Sequence, residues 1–217
     1  LNNSASGLSN PDNFKELFAQ AEKLFQAGKI KGFGEFHTDN HTTSRPSFRR
    51  TIRTDNPVIR NAYAIANKYN GFIQIHAEFN SVFEQDILNL SADFPNVTTV
   101  LSHCLSTQDA KVVGVLFSKR KNITCEMSAT GSAQYKILGL NKPPKAFDSA
   151  GPFKDWKTLI ETYPDQVMLG SDPCCGADKG YSELISELRV NLLPHFSPSI
   201  IEKIAYKNAV RVFGLKE

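Results

Sequence analysis

No apolar run in this sequence reaches the roughly 18 residues that a membrane-spanning helix needs. No basic stretch followed by an apolar run opens it, so neither a membrane anchor nor a signal peptide is expected. A strong charge of one sign is missing too. Twenty-five Lys and Arg stand against 22 Asp and Glu, a net charge of +3 over 217 residues. That balance argues against a disordered tail and against a nucleic-acid partner, for which a clustered basic face would be expected. Cysteine is scarce: Cys104, Cys125, Cys174 and Cys175 are all there is. They form no separated CxxC pairs, which excludes a zinc ribbon, and they are too sparse for a disulfide scaffold. Buried thiols and a cytoplasmic location are therefore expected, with the adjacent Cys174-Cys175 a redox-sensitive candidate. No Pro/Gly/Ser-rich linker and no close repeat divides the chain. One domain over residues 1–217 is expected, long enough to bury a core unaided.

What is present is a rhythm of amphipathic helices and apolar strands. Phe14, Leu17, Phe18, Ala21, Leu24 and Phe25 recur at helical spacing, and Gly28 ends that helix. Asn56-Pro57 reads as a cap followed by a first-turn proline, opening a helix striped by Ala62, Ile65, Ala66 and Tyr69. Further helices are expected near Phe83–Phe94, Gln108–Ser118, Phe153–Tyr163, Tyr181–Leu192 and Pro198–Val212. Between them lie five strand candidates: Gly32–His37, Phe72–Ala77, Thr98–His103, Ile123–Ser128 and Gln166–Asp172. Strands that alternate with helices imply a parallel α/β sheet with helices outside it.

Each candidate strand ends in a group capable of chemistry: Glu35 with His37, His76, His103, Ser128 and Asp172. Active sites of parallel α/β proteins form at that edge of the sheet. Any one of these residues alone reads as a hydrogen-bonded rim group. Two imidazoles and two carboxylates on successive strand ends suit zinc or another borderline divalent ion, with manganese and iron as alternatives. Glu35, His76, His103 and Asp172 are the expected ligands, and Asp172 also the expected proton carrier. The basic run Arg45–Arg53, through Arg45 and Arg49, is either a solvated loop or a clamp for an acidic substrate group. His37 and Ser128 are further candidates for substrate contact.

The segments GFGEFH, IQIHAE, LSHC, VMLGSDP and KIAYKNAVRVFGL, in this order, resemble the amidohydrolase superfamily of metal-dependent hydrolases. The resemblance runs from Gly32 to Leu215. It implies a (β/α)8 TIM-barrel type of fold in which the five strands correspond to the fourth through the eighth. It also implies a metal-bridging carboxylate at Glu35, histidine ligands at His76 and His103, and an acid/base ligand at Asp172. The His-x-His of the family's first strand is absent, and the opening LNNSASGLSNP reads like an internal loop. The expected protein is thus an N-terminally incomplete barrel, made whole by a missing segment or a second copy, or one in which His37 replaces the lost pair. The expected function is hydrolysis of a small amide, lactone or ester by a metal-activated water. A decarboxylase of the same branch, a TatD-like metal-dependent phosphodiesterase and a non-catalytic barrel remnant are the alternatives.

Overall fold

Helix and strand alternate as the apolar rhythm predicts, in a computed structural model that describes residues 10–41, 49–105, 109–173 and 176–215. Strands β1 (Gly32–His37), β2 (Phe72–His76), β3 (Thr98–Leu101) and β4 (Ile123–Glu126) lie side by side in chain order. β5 (Phe147–Asp148) and β6 (Gly151–Pro152) form a separate antiparallel pair, and β7 (Val167–Met168) closes the main sheet beside β4. Every pairing in the main sheet is parallel. β1 and β7 do not meet, so among the described residues the sheet is an open arc.

The connections are helical, as parallel pairing demands. Helix α1 (Lys15–Gln26) precedes β1, and α2 (Pro57–Lys68), α3 (Ser81–Asp93) and α4 (Ala110–Lys119) link β1 through β4. The short α5 (Ala133–Ile137) and α6 (Lys154–Thr162) lead to β7. The three link helices start where a side chain caps them. Asn56 accepts from the amides of Val58 and Ile59 at 3.0 and 3.1 Å, Asn80 from Phe83, and Asp109 from Val112. α2 buries Val58, Ile59, Ala62, Tyr63, Ile65 and Ala66 against the sheet. Each large side chain so buried contributes roughly 1.5–3 kcal/mol. Ile73, Ile75, Leu101, Ile123 and Val167 supply the strand side of the same core. Leu17, expected in the α1 stripe, is 45% exposed.

The chain ends less regularly than its periodicity predicts. α7 (Tyr181–Glu187) runs into a π-helical turn at Leu188–Leu192, and a second such turn, Lys203–Lys207, joins α8 (Pro198–Glu202) to α9 (Asn208–Phe213). β7 is also short. After Met168 the Leu169 amide donates to the Ile204 carbonyl at 2.9 Å, not to a strand neighbour. Beside it, a Cβ on Gly170 would lie 2.2 Å from Glu126 Oε2, so only glycine allows this approach.

β1 occupies the expected Gly32–His37, with one irregularity: its register with β2 slips between Phe33 and Phe36. The extra residue is a bulge, a device that re-aims side chains. Cys104 and Cys125 are not thiols but a disulfide, with Cα atoms 4.8 Å apart. Leu101 is paired with Cys125 in the sheet, and the turn after β3 returns Cys104 to the same strand. Cys174 and Cys175 lie outside the described residues. No helix among the described residues is long and apolar enough to cross a membrane.

Candidate metal centre

β1 and β2 place Glu35, His37 and His76 together, with His37 and His76 as direct register partners. Their ligand-capable atoms all lie within 4.8 Å of one another. Glu35 Oε1 accepts from His76 Nδ1 at 3.2 Å, and Oε2 faces His37 Nε2 at 3.3 Å. The two imidazoles stack at 4.5 Å. Burial alone would raise the Glu35 carboxyl. Hydrogen bonds from His37, His76 and Ser102 outweigh that and hold it far below the usual carboxylate range. Ser102 can donate to Glu35 because its oxygen accepts from Gln74 Nε2 at 3.1 Å.

His103 is not on a strand. It opens a tight turn in which His103, Cys104 and Leu105 all have positive φ, 55°, 45° and 59°. Left-handed backbone costs an L-residue roughly 1–2 kcal/mol, so three in succession require outside support. Glu126 and Lys145 supply it. Glu126 Oε1 accepts from the His103 amide at 2.7 Å. Lys145 Nζ donates to the carbonyls of His103, Cys104 and Leu105 at 3.0, 2.8 and 2.9 Å. Charge-assisted bonds of this kind contribute roughly 1.5–3 kcal/mol each, enough to offset the strain. The disulfide at Cys104 is a further brace. Burial lowers the Lys145 ammonium to about 7, against the pull of Glu126 and Asp109. Three carbonyl acceptors match the three protons of its charged form.

The same network fixes the His103 ring. Ser128 Oγ donates to Glu126 Oε1 at 2.9 Å, and a hydroxyl has one proton. Its contact with His103 Nδ1 at 2.7 Å therefore has the ring nitrogen as donor. In the neutral ring, a proton on Nδ1 leaves the lone pair on Nε2. That nitrogen lies 3.9 Å from Glu35 Oε1 and 3.9 Å from Asp172 Oδ2, beyond hydrogen-bond reach of both. Asp172 itself has a positive φ of 38°, and its carbonyl accepts from Gln134 Nε2 at 3.2 Å. Glu35, His103, Glu126 and Asp172 line one cavity with Gln74, Met168 and Phe213. Carboxylate oxygens and imidazole nitrogens are the donor set a borderline divalent cation takes.

Not every candidate meets that cavity. Ser128 is 1% exposed and is engaged behind His103, so it does not face a substrate. Arg49 is exposed and does not line the cavity, and Arg45 lies outside the described residues. Arg53 of the same run is bound to Asp86 on α3 through Nε at 2.9 Å and through Nη2. Sequence reasoning passed over Glu126, although Thr124, Glu126 and Ser128 alternate as Glu35 and His37 do. It also passed over Lys145, which sits in a proline-bearing loop without periodicity. A second group of three, Asp39, His41 and Glu78, is formed nearby in sequence, where Asp39 raises the His41 imidazole.

Comparison with known proteins bears on the fold and the family. No curated protein matches the sequence. Among solved structures, a TIM-barrel protein of Bordetella bronchiseptica superposes with a TM-score of 0.55 at 18% identity, over 92% of this chain and 62% of that one. A chain from Pseudomonas putida assigned as a 2-pyrone-4,6-dicarboxylic acid hydrolase gives 0.56 at 13% identity, over 92% and 69%. A 2,6-dihydroxybenzoate decarboxylase complexed with 2,6-dihydroxybenzoate gives 0.50 at 12% identity, over 96% and 68%. The chain thus spans about two thirds of the length of these structures, or a little less. They establish the TIM-barrel type of fold. The sequence model of the amidohydrolase family matches residues 5–215, and the chain belongs to that family.

Proposed function

We propose that the chain carries a divalent-metal site for hydrolysis of a small amide, lactone or ester, with zinc as the metal. Glu35, His76, His103 and Asp172 would hold it, with His37 beside them. The observation that carries this reading is the Glu126–Ser128–His103 relay, which leaves the His103 Nε2 lone pair aimed between Glu35 and Asp172. Bound zinc lowers the pKa of its water from about 15.7 towards 7. Asp172, with a side chain 36% exposed, can accept a proton and return it to a leaving group. Glu35 holds the facing His37 and His76 imidazoles, and a ring nitrogen that turns its proton to Glu35 would instead present its lone pair to a cation, the proton moving to the other ring nitrogen. Ligands must be deprotonated to bind a metal, so affinity would rise with pH. The hydrolase and decarboxylase neighbours are both named for carboxylated rings, which supports an acidic substrate.

Elemental mass spectrometry on the purified 217-residue chain tests the reading. One or two equivalents of zinc, manganese or iron are expected, lost in His76→Ala and in Asp172→Asn. A metal-free chain that also takes up no zinc on equilibrium dialysis overturns it. With metal established, a panel of carboxylated lactones and aromatic acids separates hydrolysis from decarboxylation by the release of carbon dioxide.

A further inference from the structure

Lys145 lies in the loop between α5 and β5, two residues before β5, and nothing in the proposed chemistry uses it. Its backbone is fixed first: the amides of Lys145 and Ala146 both donate to the Thr130 carbonyl at 2.9 Å. Its ammonium then sits 4.8 Å over the Trp156 ring, a face that favours a cation. From there it meets three successive carbonyls, those of His103, Cys104 and Leu105. Three left-handed residues in a row turn their carbonyls to one side. Within the turn the Leu105 amide bonds back to Ser102, so it satisfies none of the three. An outside group with three donors in one place is what the turn lacks, and an ammonium is the side chain that provides it.

We propose that Lys145 is the positioning residue for His103, holding the left-handed turn so that the imidazole Nε2 faces Glu35 and Asp172. Glu126 and Ser128 fix the ring from the amide and Nδ1 side, and Lys145 fixes the backbone from the carbonyl side. Without it the three carbonyls turn toward water, the turn relaxes toward right-handed backbone, and Nδ1 leaves Ser128. The metal consequence rests on the function proposed above. The effect on the ring does not.

The test uses metal-free, 15N-labelled chain and long-range 1H–15N spectra of the imidazoles, with His103 assigned by its loss in His103→Asn. In the parent chain, His103 shows one fixed tautomer, protonated at Nδ1. In Lys145→Met, which keeps the stem and removes the charge, the His103 nitrogens move toward the averaged values of a mobile ring. Those of His37 and His76 stay in place. Zinc affinity, read by chelator competition, falls about 10- to 100-fold, as for other residues that orient a ligand. Lys145→Gln, which keeps N–H donors on a shorter stem, gives a smaller shift and serves under the same criteria if Lys145→Met does not fold. An unchanged His103 signature in the folded variant overturns the proposal, as does unchanged zinc affinity in a chain that binds zinc. If the parent chain takes no zinc, the proposed function falls, while the His103 signals still decide the role of Lys145.

Discussion

The hydroxyl of Ser128 has one proton, and the position of that proton decides which face of His103 is open. It goes to Glu126, so the ring must donate back through Nδ1. Ser128→Ala removes both bonds and leaves the tautomer unassigned. The expected outcome is a tenfold or greater loss of zinc affinity by chelator competition, with a loss of roughly 1–3 kcal/mol in denaturant unfolding from the unpaired buried groups. The sequence shows Ser128 but not this task, because a serine at a strand end looks the same whether it faces a substrate or the back of a ligand. Glu35, His76 and His103 were legible for the opposite reason. Each follows a short apolar run, and the parallel rhythm puts the ends of such runs on one rim. The structure gathers Glu35, His37 and His76 most closely, with His103 and Asp172 one step further out.

At the level of elements, the five strands and the capped helices were legible where hydrophobic period and cap coincide, as at Asn56-Pro57. Three features were not. The bulge in β1 spans Gly34, but a glycine inside a strand run marks a close backbone approach as readily as a bulge, so the sequence does not single it out. The turn at His103–Leu105 uses Cys104 and Leu105, which have no left-handed preference, and the groups that make it tenable, Glu126 and Lys145, lie 23 and 42 positions away from His103. The β5–β6 pair lies in a segment whose prolines read as loop. The Cys104–Cys125 disulfide belongs to this scale, since it ties the turn after β3 to β4. It closes a loop with a sequence separation of 21, for which chain entropy gives about 3 kcal/mol. Reduction by dithiothreitol, or the double variant Cys104→Ala with Cys125→Ala, should lower the thermal midpoint by about 6–12 °C in scanning calorimetry. A midpoint within a degree of the oxidised chain would show that the turn is held by Lys145 and Glu126 alone.

At the scale of the whole molecule, acid stability should be set in part by Asp86. This carboxylate is fully buried on α3 and ties down the segment before α2 through Arg53 and the Asp55 amide. Burial pushes its pKa up, but the Arg53 bonds and the Asp55 amide outweigh that and hold it below the usual aspartate range. A carboxyl whose folded value is depressed stabilises the fold above its unfolded value. The contribution disappears as pH falls through the folded value. Urea unfolding from pH 7 to pH 2 should therefore show a falling stability, and Asp86→Asn should flatten that fall while lowering stability at neutral pH. Parallel slopes for the two chains would remove Asp86 from the account.

The all-parallel order of the main sheet also dictates a folding sequence in time. With no hairpin in it, every pairing must wait for a distant segment. Thr99 meets Ile123 across 24 positions and Phe72 meets Thr98 across 26, whereas Gly32 meets Phe72 across 40 and Cys125 meets Val167 across 42. Each doubling of a loop adds about 0.6 kcal/mol to its closure. The central strands β2, β3 and β4 therefore have the shorter search, and β1 and β7 add at the flanks. Glu35 and Asp172 arrive with those flanking strands, on either side of a His103 already in place, so the site is the last part of the sheet to assemble and the first to come apart.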